Sequence, residues 1–276
     1  MYSKINAKIF TPDSFESYFE LISKLSDYMP VAGGTDVIVK IKRGKIKCAN
    51  LILLNKIKEL KEIRCFDNHL FIGAGNTFSR LLQIGEIKDF QCLIQSFRNI
   101  GSPQIRNMAT IGGNIVNASP AADSLPALML YSAVAVVKGK NNRREIKLSD
   151  FFNDSYSVKL EKHEILTGVK IYKSHFKKSA FIKVGKRKTL FISRINIALG
   201  IDENNRWRIF SGAVTPFPVR MPNAEEVLAS ENITPEKIEK AVSEDILAHT
   251  DFRPSFRYKF PVLRDLLLKF KKIFTG

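Results

Sequence analysis

Cysteine is scarce in this chain. Cys48, Cys65 and Cys92 are the only three in 276 residues, and no CxxC pair occurs. Three thiolates cannot complete an all-cysteine iron–sulfur cluster, and their isolation predicts buried, reduced thiols. His69, His163, His175 and His249 lack zinc-type spacing, so no metal site is expected. Long hydrophobic runs are missing too. Stretches such as Ala133–Val137 are far too short to span a bilayer. The N-terminal MYSKINAKIFTPDSFE holds no signal-peptide apolar core, which predicts a cytoplasmic chain with no membrane association. A phosphate-binding GxxxxGK[ST] loop is absent. Gly73-Ala74-Gly75-Asn76-Thr77-Phe78 carries Phe78 where a dinucleotide fingerprint needs its third glycine, and reads instead as a strand-to-helix turn. Neither a Ser–His–Asp nor a Cys–His constellation is visible, so no catalytic residue is assigned.

Acidic residues are also few. Forty-four Lys and Arg against 27 Asp and Glu leave a formal charge of +17, which raises the question of nucleic acid or a membrane surface. The cations are spread over Lys40–Lys47, Lys138–Arg144, Lys170–Lys188 and Arg264–Lys272. No recognition helix, zinc finger or RNP-like motif accompanies them. Nucleic-acid binding is therefore not expected, and the reading is a lysine-rich solvated surface able to dock an acidic partner.

Forty-five per cent apolar residues over this length can bury the core of one large or two modest domains. Thr11-Pro12-Asp13 predicts a helix start with Thr11 as N-cap, followed by Phe15, Phe19, Ile22 and Leu25 at helical spacing. Short strands are expected at Leu51–Leu54 and Leu70–Ile72, then a Thr77-capped helix and a helix burying Leu93, Phe97 and Ile100. Asn141-Asn142 predicts a hairpin between Ala133–Val137 and Glu145–Leu148. After a lysine-rich boundary at 173–178, strands at Ala180–Val184, Ile195–Ile201 and Arg206–Val214 precede helices at Ala224–Ala229, Glu236–Leu247 and Val262–Phe274. The order predicts an α+β second domain.

Two small-residue stretches carry the chemistry. Ile100–Asp123 (IGSPQIRNMATIGGNIVNASPAAD) and Val31–Val37 (VAGGTDV) each hold a Gly-Gly pair among hydroxyl and carboxylate side chains. Glycine allows close backbone approach to a ligand, and successive amides in a tight turn suit phosphate oxygens. A nucleotide with a central diphosphate is the ligand this pattern suggests. Taken singly, Gly33-Gly34 could equally be a plain turn, and Asp36 and Asp123 helix caps.

VAGGTDV, IGAGNTF and GSPQIRNMATIGGNIVNASPAADSLPAL, in that order, resemble the FAD-binding subunits of molybdenum hydroxylases, the xanthine dehydrogenase and carbon monoxide dehydrogenase type. Glu164–Leu166, Phe181–Arg187 (FIKVGKR), Gly212–Arg220 and Asp251–Tyr258 extend the resemblance along the whole chain. It implies the two-subdomain FAD-binding fold of the vanillyl-alcohol oxidase and cresol methylhydroxylase type, followed by a small α+β domain of antiparallel sheet plus helices. The FAD-binding domain would span 1–173, with subdomains near 1–57 and 58–173, and the C-terminal domain 174–276.

By the same resemblance, Val31, Ala32, Gly33, Gly34, Thr35, Asp36, Val37 and Ile38 would wrap the FAD diphosphate. Thr110, Ile111, Gly112, Gly113 and Asn114 would form the second diphosphate loop. Ser119 and Asp123 would bond the ribityl region, the backbone at Ile165 or Leu166 would meet the flavin ring, and Lys183 would lie near it. The implied hetero-oligomer places a molybdenum–pterin centre on a large subunit and [2Fe-2S] clusters on a small one. Electrons would leave FAD for an acceptor such as NAD⁺. A purine substrate is the lean, and the alternative is a stand-alone FAD-dependent oxidase of the same superfamily.

Overall fold

The computed structural model describes residues 7–154, 157–186 and 192–276. Arg187, the last residue of FIKVGKR, lies outside them. The chain opens with β1 (Lys8–Phe10), α1 (Phe15–Ser23), β2 (Met29–Val31), α2 (Val37–Lys42) and β3 (Asn50–Leu53). It continues through β4 (Ile63–Cys65), β5 (His69–Gly73), α3 (Phe78–Leu81), α4 (Gln91–Arg98), α5 (Pro103–Met108), α6 (Ile111–Asn117) and α7 (Ser124–Leu130). Next come β6 (Val134–Lys138), β7 (Arg143–Lys147), β8 (Phe152–Asp154), β9 (Ser157–Val158), β10 (Ile165–Tyr172), β11 (Phe176–Val184), β12 (Ile195–Asp202), β13 (Trp207–Gly212) and β14 (Val219–Arg220). Three helices close the chain: α8 (Pro222–Ala229), α9 (Pro235–Leu247) and α10 (Phe256–Thr275).

Contacts divide the chain into two compact units. The first takes the described residues up to Glu86, then Gly101–Asn117 and Ala133–Tyr172. It holds a parallel sheet in the order β1-β3-β2 and an antiparallel sheet in the order β4-β5-β10-β6-β7. The expected strands and the Asn141-Asn142 hairpin are present, with Val134–Lys138 paired against Arg143–Lys147. The first helix starts later than Thr11 predicts. Ser14 is its N-cap, in a reciprocal box with Ser17, and the Phe15 amide donates to Glu59 Oε1 at 3.1 Å. The Thr77-capped helix is a single turn ending at Leu81.

Strand β10 was not predicted, yet it is the middle strand of its sheet. Within it Gly168 is a packing device: a Cβ there would lie 2.5 Å from the Phe71 ring.

The second unit takes Ile87–Ile100, Ala118–Ser132 and Lys173–Gly276. Its antiparallel sheet runs β11-β12-β13-β14, as the alternating stretches predict. Ile195, Ile197, Leu199 and Ile201 of β12 join one core with Leu228, Ile238, Val242, Leu263 and Leu267 of the last three helices. The alternate face, through Asn196, reaches Ala122 at the head of α7, a helix buried along its whole length. Trp207 stacks on Phe274 with ring centroids 5.7 Å apart. The last helix begins at Phe256, six residues before the expected start, and carries Pro261 within it.

The thiols differ from expectation. Cys92 is buried, and burial pushes its pKa up, whereas Cys48 is half-buried and Cys65 exposed. Cys65 ends β4, an edge strand of its sheet whose last two residues are both exposed.

Candidate cofactor-binding site

In the first unit, β2 ends at Val31, which is buried, and the chain turns through Ala32–Asp36 into α2. Gly34 takes φ +70°, the conformation that favours glycine. Asp36 stands at the N-cap position of α2 but makes no side-chain cap bond. Its carboxylate pairs instead with Lys40 Nζ at 2.6 Å. The same ammonium donates to Asn117 Oδ1 at 2.9 Å, which ties α2 to the end of α6.

The second small-residue stretch is not one open loop. Ser102 caps α5, and Ile111–Asn117 forms α6, so Gly112 and Gly113 lie in the first turn of a helix. Thr110 is buried and its Oγ1 accepts the Gly113 amide at 3.0 Å. The Gly112 amide donates to the Ala74 carbonyl, and the Ala74 amide donates to the Thr167 carbonyl. Ile165 and Leu166, both buried, precede Thr167 on β10. The Ile111 amide donates to the carbonyl of Asn76, a buried residue whose Oδ1 has no partner among the described residues. The first unit therefore joins 110–114 to the start of β10 through the strand-to-helix turn at 73–77, while Lys40 ties α2 to the end of α6.

The glycines act differently from one another. A Cβ on Gly33 would overlap the Met108 carbonyl oxygen and lie 2.6 Å from its carbon. A Cβ on Gly112 would lie 2.8 Å from the Ala74 oxygen. The space beside these two is filled by protein backbone, so they allow the loops to close on each other. Gly34 and Gly113 are less confined: the nearest atoms to an added Cβ are Ile38 Cγ1 at 3.2 Å and Thr110 Oγ1 at 3.0 Å, respectively. Of these four glycines, Gly34 and Gly113 are the ones that leave room for closer backbone approach to a ligand.

The amides of Gly33, Gly34, Thr35 and Asp36 donate to no acceptor among the described residues. Gly33–Thr35 are half-buried. Consecutive donors of this kind around a left-handed glycine form a concavity suited to anionic oxygens. The donor set fits a diphosphate.

The second unit holds Ser119, Asp123 and Lys183. Ser119 is half-buried, and its carbonyl accepts the Ala122 amide. Asp123 sits at the head of α7 without a cap bond. Its Oδ2 accepts from Lys183 Nζ at 2.6 Å, and the two side chains are 6% and 7% exposed. Lys183 also donates to the Asn99 carbonyl at 3.0 Å. Asp123 Oδ1 accepts from Ser193 Oγ at 2.6 Å and from Asn196 Nδ2 at 3.1 Å. Lys183 on β11 is thus a buried, paired cation, unlike the exposed lysine usual on a strand. Asn99, Ser193 and Asn196 carry no local sequence signal, because each meets its partner across many residues of chain.

Comparison with known proteins identifies the family and the fold. Residues 4–173 match the family described as FAD binding domain in molybdopterin dehydrogenase. The chain is 33% identical to the nicotinate dehydrogenase FAD-subunit of Eubacterium barkeri, over 97% of this chain and 95% of that one. It is 28% identical to the xanthine dehydrogenase FAD-binding subunit of Escherichia coli O157:H7, over 87% of this chain and 86% of that one. Among solved structures, a chain of carbon monoxide dehydrogenase from Hydrogenophaga pseudoflava superposes with a TM-score of 0.84 at 25% identity, covering 97% of this chain and 96% of that one. The α+β fold read from the sequence is the fold of these proteins. With a family match to 4–173 and relatives and a solved structure matched along nearly the whole chain, the chain belongs to the FAD-binding subunits of molybdopterin dehydrogenases, oxidoreductases of the molybdenum hydroxylase class.

Proposed function

We propose that this chain is the electron-transfer flavoprotein subunit of a hetero-oligomeric molybdenum hydroxylase. In that complex a large subunit carries the molybdenum–pterin centre and a small subunit the [2Fe-2S] clusters. The observation that carries the reading is the run of amides at 33–36 with no acceptor among the described residues, in a turn whose Gly33 lies against Met108 and Ala109, in an FAD-binding family. Val31–Ile38 wrap the FAD diphosphate and donate to it through the amides of Gly33–Asp36, while Thr110–Asn114, whose amides at 111–114 are bonded within the protein, form the second wall of that site. Ser119 and Asp123 serve the ribityl region, Lys183 lies near the flavin, and the Ile165 or Leu166 backbone meets the polar edge of the ring. Bound FAD supplies the ability to take electrons singly and release them in pairs, which the protein orients and tunes electrostatically.

The FAD-binding domain is assigned to 1–173, following the family match to 4–173, and the remainder forms the C-terminal domain. Among the described residues no helix is long and apolar enough to cross a membrane; a cytoplasmic location is part of the proposal. The basic surface is assigned to docking the small subunit.

The substrate class is a nitrogen heteroaromatic ring. Motif resemblance favours a purine. The similarity to a nicotinate dehydrogenase subunit supports pyridine carboxylate as the second reading. Anaerobic addition of xanthine or nicotinate to the assembled complex tests both, with NAD⁺ as acceptor. Bleaching of the flavin absorbance by xanthine, followed by NADH formation, is expected. Bleaching by nicotinate alone selects the second reading, and no bleaching by either overturns the substrate class.

A further inference from the structure

A buried ion pair stands only when further hydrogen bonds satisfy its remaining valences. The Asp123–Lys183 pair meets this condition through two residues that contribute nothing else visible to a cofactor. Ser193 Oγ and Asn196 Nδ2 both donate to Asp123 Oδ1, while Oδ2 is left for Lys183. Asn196 is fully buried, and its amide orientation is fixed because both Nδ2 partners, Asp123 Oδ1 and the Ala122 carbonyl, are acceptors. Gly212 across the ladder from Asn196 leaves room for this side chain, since a Cβ there would overlap its Oδ1. Asn196 and Gly212 are therefore shaped to each other for a bond to one carboxylate oxygen.

We propose that Ser193 and Asn196 are positioning residues for the flavin, acting through Asp123 to fix the ammonium of Lys183. The inference deepens the flavin reading above and depends on it. A carboxylate held by two donors on one oxygen cannot rotate without breaking them, so its second oxygen keeps Lys183 at one place. A cation at a fixed place stabilises the added negative charge of reduced flavin more than the oxidised form. Side-chain networks of this kind act as units, so their removal is not additive.

The test compares affinities for oxidised and reduced FAD in the full-length chain and its variants. Ser193→Ala is expected to lower the preference for reduced FAD by about tenfold, the size of one hydrogen bond to a charged group. Ser193→Thr, which keeps the hydroxyl, restores it. Lys183→Gln lowers the preference at least as far, and Ser193→Ala adds nothing in that background. Asn196→Ala gives the same ratio shift by an independent route should Ser193→Ala fail to fold. Trp207, the sole tryptophan and part of the same unit, reports folding in each variant. An unchanged ratio in a folded Ser193→Ala or Asn196→Ala protein, or an effect that adds to Lys183→Gln, overturns the inference while leaving the flavin reading intact. A wild-type chain that takes up neither form of FAD overturns both.

Discussion

Gly33→Ala is expected to lose its FAD and about 2–4 kcal/mol of stability together, the cost of forcing atoms into a filled site. The new methyl would overlap the Met108 carbonyl and crowd the Ala109 Cα at 3.0 Å. Backbone on both sides must then move, and the turn at 31–38 separates from the stretch at 108–113. Gly113→Ala is the contrasting case. Its Cβ would meet Thr110 Oγ1 at 3.0 Å and Ala32 Cβ at 3.6 Å, contacts that small side-chain shifts relieve. Alanine is also the better helix former, by roughly 1 kcal/mol. Gly113→Ala is therefore expected to keep or raise its melting temperature while binding FAD more weakly. Thermal unfolding beside FAD titration separates the two behaviours. Equal destabilisation by both substitutions would contradict the division into loop-closing and ligand-facing glycines.

Asp123→Ala is the second large effect. It leaves the Lys183 ammonium buried without its carboxylate, and breaking a buried pair in this way costs about 3–5 kcal/mol. Ser193 and Asn196 lose their acceptor at the same time. The expected result in urea is a lower unfolding midpoint with an unchanged slope. Asp123→Ala/Lys183→Met removes both charges and should regain much of the loss, because no uncompensated ion remains. A double variant no more stable than Asp123→Ala would show that the cost lies in the rest of the network and not in the orphaned charge.

The sequence marks positions better than it marks partners. Gly33, Gly34, Gly112 and Gly113 stand out because paired glycines among hydroxyls are rare in ordinary strands and helices. The structure divides them by role, since what fills the missing Cβ space comes from Met108 and Ala74, remote in the chain. Asp123 and Lys183 are each reached through the family resemblance, yet their pairing spans 60 residues and no local pattern predicts it. The helix start lies at Ser14 and not at Thr11 because the reciprocal Ser14–Ser17 box and the Glu59 contact cap it there. β10 escapes notice because Gly168 interrupts an apolar run whose neighbours on both sides supply the reason for it. Local chemistry is legible in each case, and what the fold adds is which distant atom it meets.

The most direct test of the account is the visible spectrum of the purified chain after incubation with FAD and gel filtration. Retained absorbance near ~370 and ~450 nm, released as free FAD by acid, is the predicted result for a noncovalent flavoprotein. A colourless protein under saturating FAD, with the chain folded, would contradict it.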